Sequence, residues 1–217
     1  MKSLVFLWMC FIALAVSGQN QGKVVVGGNF SLFTEKGTRN TDNISETTGK
    51  STNFSLIPSI HYFITDSWSI GTGIGLEHTK ILTRPGDEDK DTPDLYDKTN
   101  YFVLNPSAFY YLKLSEKFYY TPNIYLKLKL GKTKADKTKK KVNETNRNAV
   151  NIGVTLLNFE FRPIEQLGLG ISCGDVCYVY EMNKNNPSKD ESSIKNKTST
   201  FHFSLQDTFS FAFRYYF

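Results

Sequence analysis

Hydrophobic and polar residues alternate along most of this chain with a period of two. In 68–76, Trp68, Ile70, Thr72, Ile74 and Leu76 share one parity, opposite Ser69, Gly71, Gly73 and Gly75. In 118–130, Phe118, Tyr120, Pro122, Ile124, Leu126, Leu128 and Leu130 oppose Tyr119, Thr121, Asn123, Tyr125, Lys127 and Lys129. The chain ends the same way: Phe209, Phe211, Phe213, Tyr215 and Phe217 alternate with Ser210, Ala212, Arg214 and Tyr216. Successive side chains of a strand point to opposite faces, so each segment predicts a strand with one apolar and one polar face. No segment holds a 3.6-residue apolar period.

The pattern places strands near 23–33, 51–64, 68–83, 99–114, 118–132, 147–162, 167–182 and 199–217. Parity slips between Leu156 and Leu157 and between Cys173 and Val176, each reading as a β-bulge. Pro58, Pro106 and Pro122 fall inside predicted strands, where they remove ladder hydrogen bonds, and are expected at bulges or distortions.

Connections of two kinds alternate strictly. Residues 65–67, 115–117 and 163–166 are short; 34–50, 84–98, 133–146 and 183–198 are long, polar and charged. Up-and-down connectivity then collects the short turns at one end and the long loops at the other, an asymmetry typical of membrane β-barrels. Gly, Ser and charges cannot fill a soluble core, whereas they suit the crowded interior of a barrel whose apolar face is turned outward. A lipocalin-like barrel with the apolar face inward is the soluble alternative; Phe, Tyr, Leu and Ile from every strand would overpack it.

The N-terminus reads as a secretory signal over residues 1–18: Lys2, an apolar run from Leu4 to Val16, then Ser17 and Gly18, with Gln19 opening a single domain over 19–217. Removing Lys2 lowers the formal charge from +5 to +4, a balance that does not point to nucleic acid. Phe and Tyr are abundant, at 17 and 12 residues, which suits aromatic girdles at a membrane interface. Cys173 and Cys177 would lie about 13 Å apart on an extended strand, too far to bridge, so free thiols are expected.

"PSIHYFI" (58–64) and "PSAFYYL" (106–112) echo one another, each just ahead of a short turn. Tyr62, Trp68, Tyr110, Phe118, Tyr120, Tyr215 and Phe217, with Phe161, form a predicted interfacial ring at the short-turn end. The stretch "LIPSIHYFITDSWSIGTGIGL", the later P-x-x-x-Y strand and the terminal "FAFRYYF" together resemble the outer-membrane β-barrel domains common in the Bacteroidetes, OmpA-like or PorT-like. The resemblance covers about residues 20–217. It implies eight antiparallel strands with short periplasmic turns and extracellular long loops. It also implies that the barrel-assembly machinery reads Phe217, and it transfers no catalytic residue.

Inward parity collects Glu77, Lys127, Lys129, Arg214 and, past the bulge, Glu160 and Arg162, with His61 and Lys113 also inward. These are expected to form salt bridges that pack a polar lumen, with a narrow ion path as the alternative. His202 and Ser204 have the H-x-S spacing of lipid A deacylases, but no activating acid follows, so the catalytic logic is incomplete. The acidic stretch 84–98 and the basic stretch 131–147 flank one hairpin; they are expected to attract each other or to bind glycolipid and divalent cations jointly. Asp87, Asp89 and Asp91 have calcium-loop spacing, yet Thr92 stands where that loop needs glycine. The expected function is that of a non-enzymatic outer-membrane barrel, structural, adhesive or accessory to a complex, with no cofactor and no metal. A narrow pore and a lipid-modifying enzyme are the alternatives. Expected partners are outer-membrane lipid and the assembly machinery, with other outer-membrane proteins or surface glycolipid as open candidates.

Overall fold

A computed structural model describes residues 20–41, 44–84, 95–135, 144–185, 195–204 and 210–217. The signal segment 1–18, the calcium-like aspartates, and residues 85–94 and 136–143 of the oppositely charged stretches lie outside the described residues, as does Phe209.

The described residues form one all-β, antiparallel, eleven-stranded sheet. Its strands are β1 (Val24–Thr41), β2 (Ile44–Phe63), β3 (Trp68–Arg84), β4 (Leu95–Tyr110), β5 (Leu112–Lys113), β6 (Phe118–Tyr120), β7 (Asn123–Ala135), β8 (Glu144–Ile164), β9 (Leu167–Asn185), β10 (Lys195–Ser204) and β11 (Ser210–Tyr216). The pairings run β1 to β2, β3, β4, β7, β8, β9, β11 and back to β1, a ring of eight strands. β5 continues β4, and β6 precedes β7 on the next limb; β10 lies beside β9, on the same limb as β11. The seam between β1 and β11 runs from Val25 opposite Tyr216 to Phe30 opposite Phe211.

Several strands outrun their apolar pattern. In the stretch 34–50, expected as a loop, residues 34–41 belong to β1 and 44–50 to β2, which stay paired up to Thr41 opposite Ile44, with a register shift at Gly37/Thr38. β4, β7, β8 and β9 likewise extend into stretches expected as loops. The reason is physical: alternation reports burial of one face, and the ladder needs only backbone partners. Where neither face is apolar the alternation fades while the pairing continues.

The prolines mark local distortions of the ladder, and at Pro58 and Pro106 no bulge accompanies them. Register is the same before and after Pro58, from Leu56↔Leu76 to Ser59↔Gly73, and around Pro106, from Leu104↔Leu128 to Ser107↔Tyr125. Each interrupts pairing locally without a bulge, as a missing donor would. Pro122 does break its strand: it separates β6 from β7 while the carbonyl of Pro122 still accepts from Tyr110 N–H. The slip at Leu156/Leu157 is present, because Tyr120 faces Phe159 whereas Asn123 faces Thr155. The opposing slip on β9 centres on Gly174, at φ 78°, so β8 and β9 stay in register with each other across it.

Side chains of the two parities meet different surroundings. Outward are Val26, Phe30, Leu56, Ile60, Ile70, Ile74, Leu76, Ile124, Ile152, Leu169, Ile171, Phe211 and Phe213, all exposed. Inward, Val25, Phe63, Phe109, Tyr111 and Tyr216 form a buried apolar cluster near the short turns. That inner cluster places aromatic rings where the sequence predicts a polar interior. Its signal was the aromatic doublets Tyr62-Phe63, Tyr110-Tyr111 and Tyr215-Tyr216, which put one ring on each face.

Candidate functional site

The interior is built by side chains that meet across an intervening strand, and only the concave side of a curved sheet allows that. Glycines make several of these meetings possible. β3 presents Gly71 inward between β2 and β4; a Cβ there would come within 2.6 Å of His61. With that space open, His61 packs edge-on against Phe109 at 5.1 Å and Phe63 lies 4.8 Å from Tyr111. These are corresponding positions of the two echoed segments, so the repeat pairs with itself over β3.

The same device recurs on β9. A Cβ on Gly168 would lie 2.8 Å from the Glu160 carboxylate, and one on Gly170 would lie 3.1 Å from Arg214 Nη1. Glu160 of β8 therefore reaches Arg214 of β11 over β9, and the two are ion-paired. On β8, a Cβ on Gly153 would sit 2.7 Å from the Tyr125 hydroxyl. Tyr125 of β7 uses that space to donate to Asp175 Oδ2 of β9 at 2.5 Å.

Two charge clusters result, rather than one network. Glu77 accepts from Lys127 at 3.3 Å and from Lys129 at 2.5 Å. Glu160, fully buried, accepts from Arg162 Nε at 2.6 Å, from the Tyr216 hydroxyl at 2.5 Å and from Arg214. A buried carboxylate is tolerated only with such full satisfaction. Rings cover the guanidiniums as well: Arg162 lies 3.9 Å from the Tyr216 ring centroid and 4.1 Å from that of Tyr119, and Arg214 lies 4.9 Å from that of Phe109.

The Glu160 cluster and the aromatic cluster form one layer, with space on either side of it. On the side away from the short turns is a cavity of about 420 Å³, bordered by Glu77, Lys127, Lys129, Asp175, His61 and Arg214 among many Asn and Ser side chains. At the short-turn end is a recess of about 630 Å³ bordered by Arg162, Lys23, Lys113 and Lys117. The interior thus holds the expected residues in two ion-pair clusters, together with a polar cavity, an aromatic layer and a basic recess. Lys113, predicted inward, is exposed at the rim of that recess. Tyr111 leaves the ladder to donate its N–H to the Ser67 carbonyl, yet parity carries through to β5: Lys113 stands opposite Tyr119, and Tyr119 opposite the inward Glu160.

The predicted interfacial aromatics fall on the outer face. Trp68 packs against Tyr110 at 5.1 Å, Phe118 against Phe161 at 5.4 Å, Tyr120 against Phe159 at 5.4 Å and Tyr215 against Phe217 at 4.8 Å. Tyr62 is exposed beside them on β2. Cys173 and Cys177 are both free thiols. His202 is exposed on β10 opposite Cys177, and Ser204, whose side chain lies outside the described residues, stands opposite Asp175. Among the described residues no group of three or more His, Cys, Asp or Glu could hold a metal ion.

No protein-family model matches the chain, and no curated protein sequence does. Among solved structures it is similar to a major outer membrane protein from Thermus thermophilus, at 12% identity and TM-score 0.46, over 90% of this chain and 99% of that one. It is also similar to the outer membrane protein AlkL in DMPC bilayers, at 18% identity and TM-score 0.40, over 93% of this chain and 92% of that one. A third is the outer membrane protein OprG from Pseudomonas aeruginosa, at 12% identity and TM-score 0.41, over 92% and 98% of the two chains.

Proposed function

We propose that this chain is an eight-stranded, membrane-spanning β-barrel of the outer membrane that acts without catalysis, as a structural, adhesive or accessory component of the envelope. One observation carries the reading: the outer face of the ring is studded with large apolar side chains, among them Ile70 at 48%, Leu76 at 64%, Ile124 at 54%, Phe213 at 62% and Phe217 at 68% exposure. A soluble monomer rarely leaves an apolar surface of that extent in water, whereas lipid accepts it. A closed ring also removes the unsatisfied strand edges that a bilayer cannot tolerate. In this reading the short turns are periplasmic, the long-loop end is extracellular, and Phe217 is the signal read by the assembly machinery. The finer assignment, to the OmpA-like or PorT-like barrels of the Bacteroidetes, rests on the motifs at 56–76 and 211–217. Membrane fractions run on gels without boiling test the barrel: a band that shifts on heating is expected, and a protein found wholly in the soluble fraction would sink the reading.

A narrow pore is the second reading, favoured by the two open spaces that face each other across one layer. The ion pairs and rings of that layer support a closed interior. Planar-bilayer recording of the wild type separates the two: no steady conductance is expected, and reproducible single-channel steps would promote the pore.

A further inference from the structure

Charge does not balance at the short-turn end of the interior. The layer holds two guanidiniums, Arg162 and Arg214, against the single carboxylate of Glu160. Arg162 is only 6% exposed. Its Nε donates to Glu160 at 2.6 Å, its Nη1 to the Asn20 side-chain oxygen at 3.5 Å, and its Nη2 is buried without any hydrogen-bond partner. The side chain borders the 630 Å³ recess, where Lys23, Lys113 and Lys117 join it; Glu116 and Glu165 are the acids on the same wall. None of the three lysines is ion-paired among the described residues.

Each part has an ordinary explanation by itself. Exposed lysines are usually just hydrated, and an arginine between tyrosines is usually just packed. Their combination is less ordinary. A guanidinium fixed by Glu160, Asn20 and two rings cannot swing out to water, so the excess positive charge of the layer stays where it is. Water solvates a cation by its dipole; an anion neutralises it. The exposed Lys113 and Lys117 and the half-buried Lys23 around the same concavity can close on such an anion from the rim, and a planar guanidinium with a donor to spare suits an oxyanion.

We propose that this recess binds a small, multiply charged oxyanion of the phosphate type, with Arg162 as the fixed anchor and Lys23, Lys113 and Lys117 as the rim. Free phosphates and lipid headgroups share this chemistry. Arg162 belongs to the inner face of the ring, which assigns the ligand to the soluble source.

Isothermal titration of the full folded chain with pyrophosphate, in neutral detergent at low and constant ionic strength, tests the site. Saturable binding of one pyrophosphate per chain is expected, weakening as salt is raised. The double variant Lys113→Gln/Lys117→Gln changes two exposed side chains, so it should fold as the wild type does and bind roughly tenfold or more weakly. Arg162→Gln should abolish binding; its heat-modifiable band reports whether it still folds. No saturable heat in the wild type, or a double variant that binds like the wild type, would overturn the proposal. Phosphatidylglycerol added to the micelles should leave the pyrophosphate affinity unchanged. Competition by that lipid would reassign the recess to a headgroup and overturn the soluble source.

Discussion

At the scale of single residues, the interior depends on what glycine leaves out. Gly168 has no left-handed φ to justify it; it is there because Glu160 occupies the space its Cβ would take. Gly168→Val should therefore displace the carboxylate from Arg214 and destabilise the fold by about 1–3 kcal/mol or more, as overpacking does. Urea unfolding in micelles, followed by tryptophan emission, measures it; stability equal to wild type would show that the Glu160 cluster does not need that gap. Glu160→Ala is the complementary test. It leaves two buried guanidiniums without their shared anion, and the expected loss is about 3–5 kcal/mol. Replacing the acid should cost more than replacing Glu77, whose partners Lys127 and Lys129 are each at least a fifth exposed and can turn to water.

These residue-level features were unevenly legible. Inward parity for Glu77, Lys127, Lys129, Glu160 and Arg214 could be read from alternation, because a period of two needs no knowledge of partners. Which acid met which base could not, since the meetings cross an intervening strand and depend on curvature. The basic recess was not legible for a related reason: inward parity places Lys113 on the inner face, but only the folded turns bring it beside Lys23, Lys117 and Arg162.

At the scale of elements, strand and apolar belt have different lengths. β3 spans 17 residues, yet its outer apolar and aromatic positions, broken once by Thr72, run only from Trp68 to Leu76. A tilted strand crosses a bilayer in about 9–11 residues. If the belt begins at Trp68, Ile74 lies within the bilayer and Leu82, on the same outward parity, beyond it. Ile74→Arg should then cost about 2–4 kcal/mol and Leu82→Arg about 0–1 kcal/mol. Equal losses at the two positions, measured by equilibrium unfolding in lipid vesicles, would contradict a membrane boundary between them. The described part of the segment 34–50, residues 34–41 and 44–50, makes the same point from the other side. Its polarity on both faces hid a strand, because hydropathy records contact with an apolar phase, and a ladder that projects beyond that phase leaves no such record.

At the scale of the whole molecule, the described residues join β11 to β1 along a short seam, Val25–Phe30 with Phe211–Tyr216. The main-chain N–H of Phe217 adds a bond to the Val24 carbonyl. Deleting residues 210–217 should open the ring and abolish the heat-modifiable band, whereas Phe217→Ala should keep the fold once refolded in detergent and lower only its assembly in cells. Refolding yield measured beside outer-membrane abundance distinguishes the two. A Phe217→Ala chain that assembles at wild-type levels would remove the last residue from the assembly signal.

Alternation, turn spacing and the aromatic ending already determined the all-β, antiparallel, up-and-down plan, with the apolar face turned outward. Those are local properties: side-chain direction follows from the pleat, and hairpin order follows from connection length. The interior was decided only by tertiary structure. Curvature brings residues about fifty positions apart to the same concave surface, and the gaps left by Gly71, Gly153 and Gly168 determine which of them touch. An ionic and aromatic layer between a polar cavity and a basic recess exists only once the ring is closed, because no one strand carries more than a part of it.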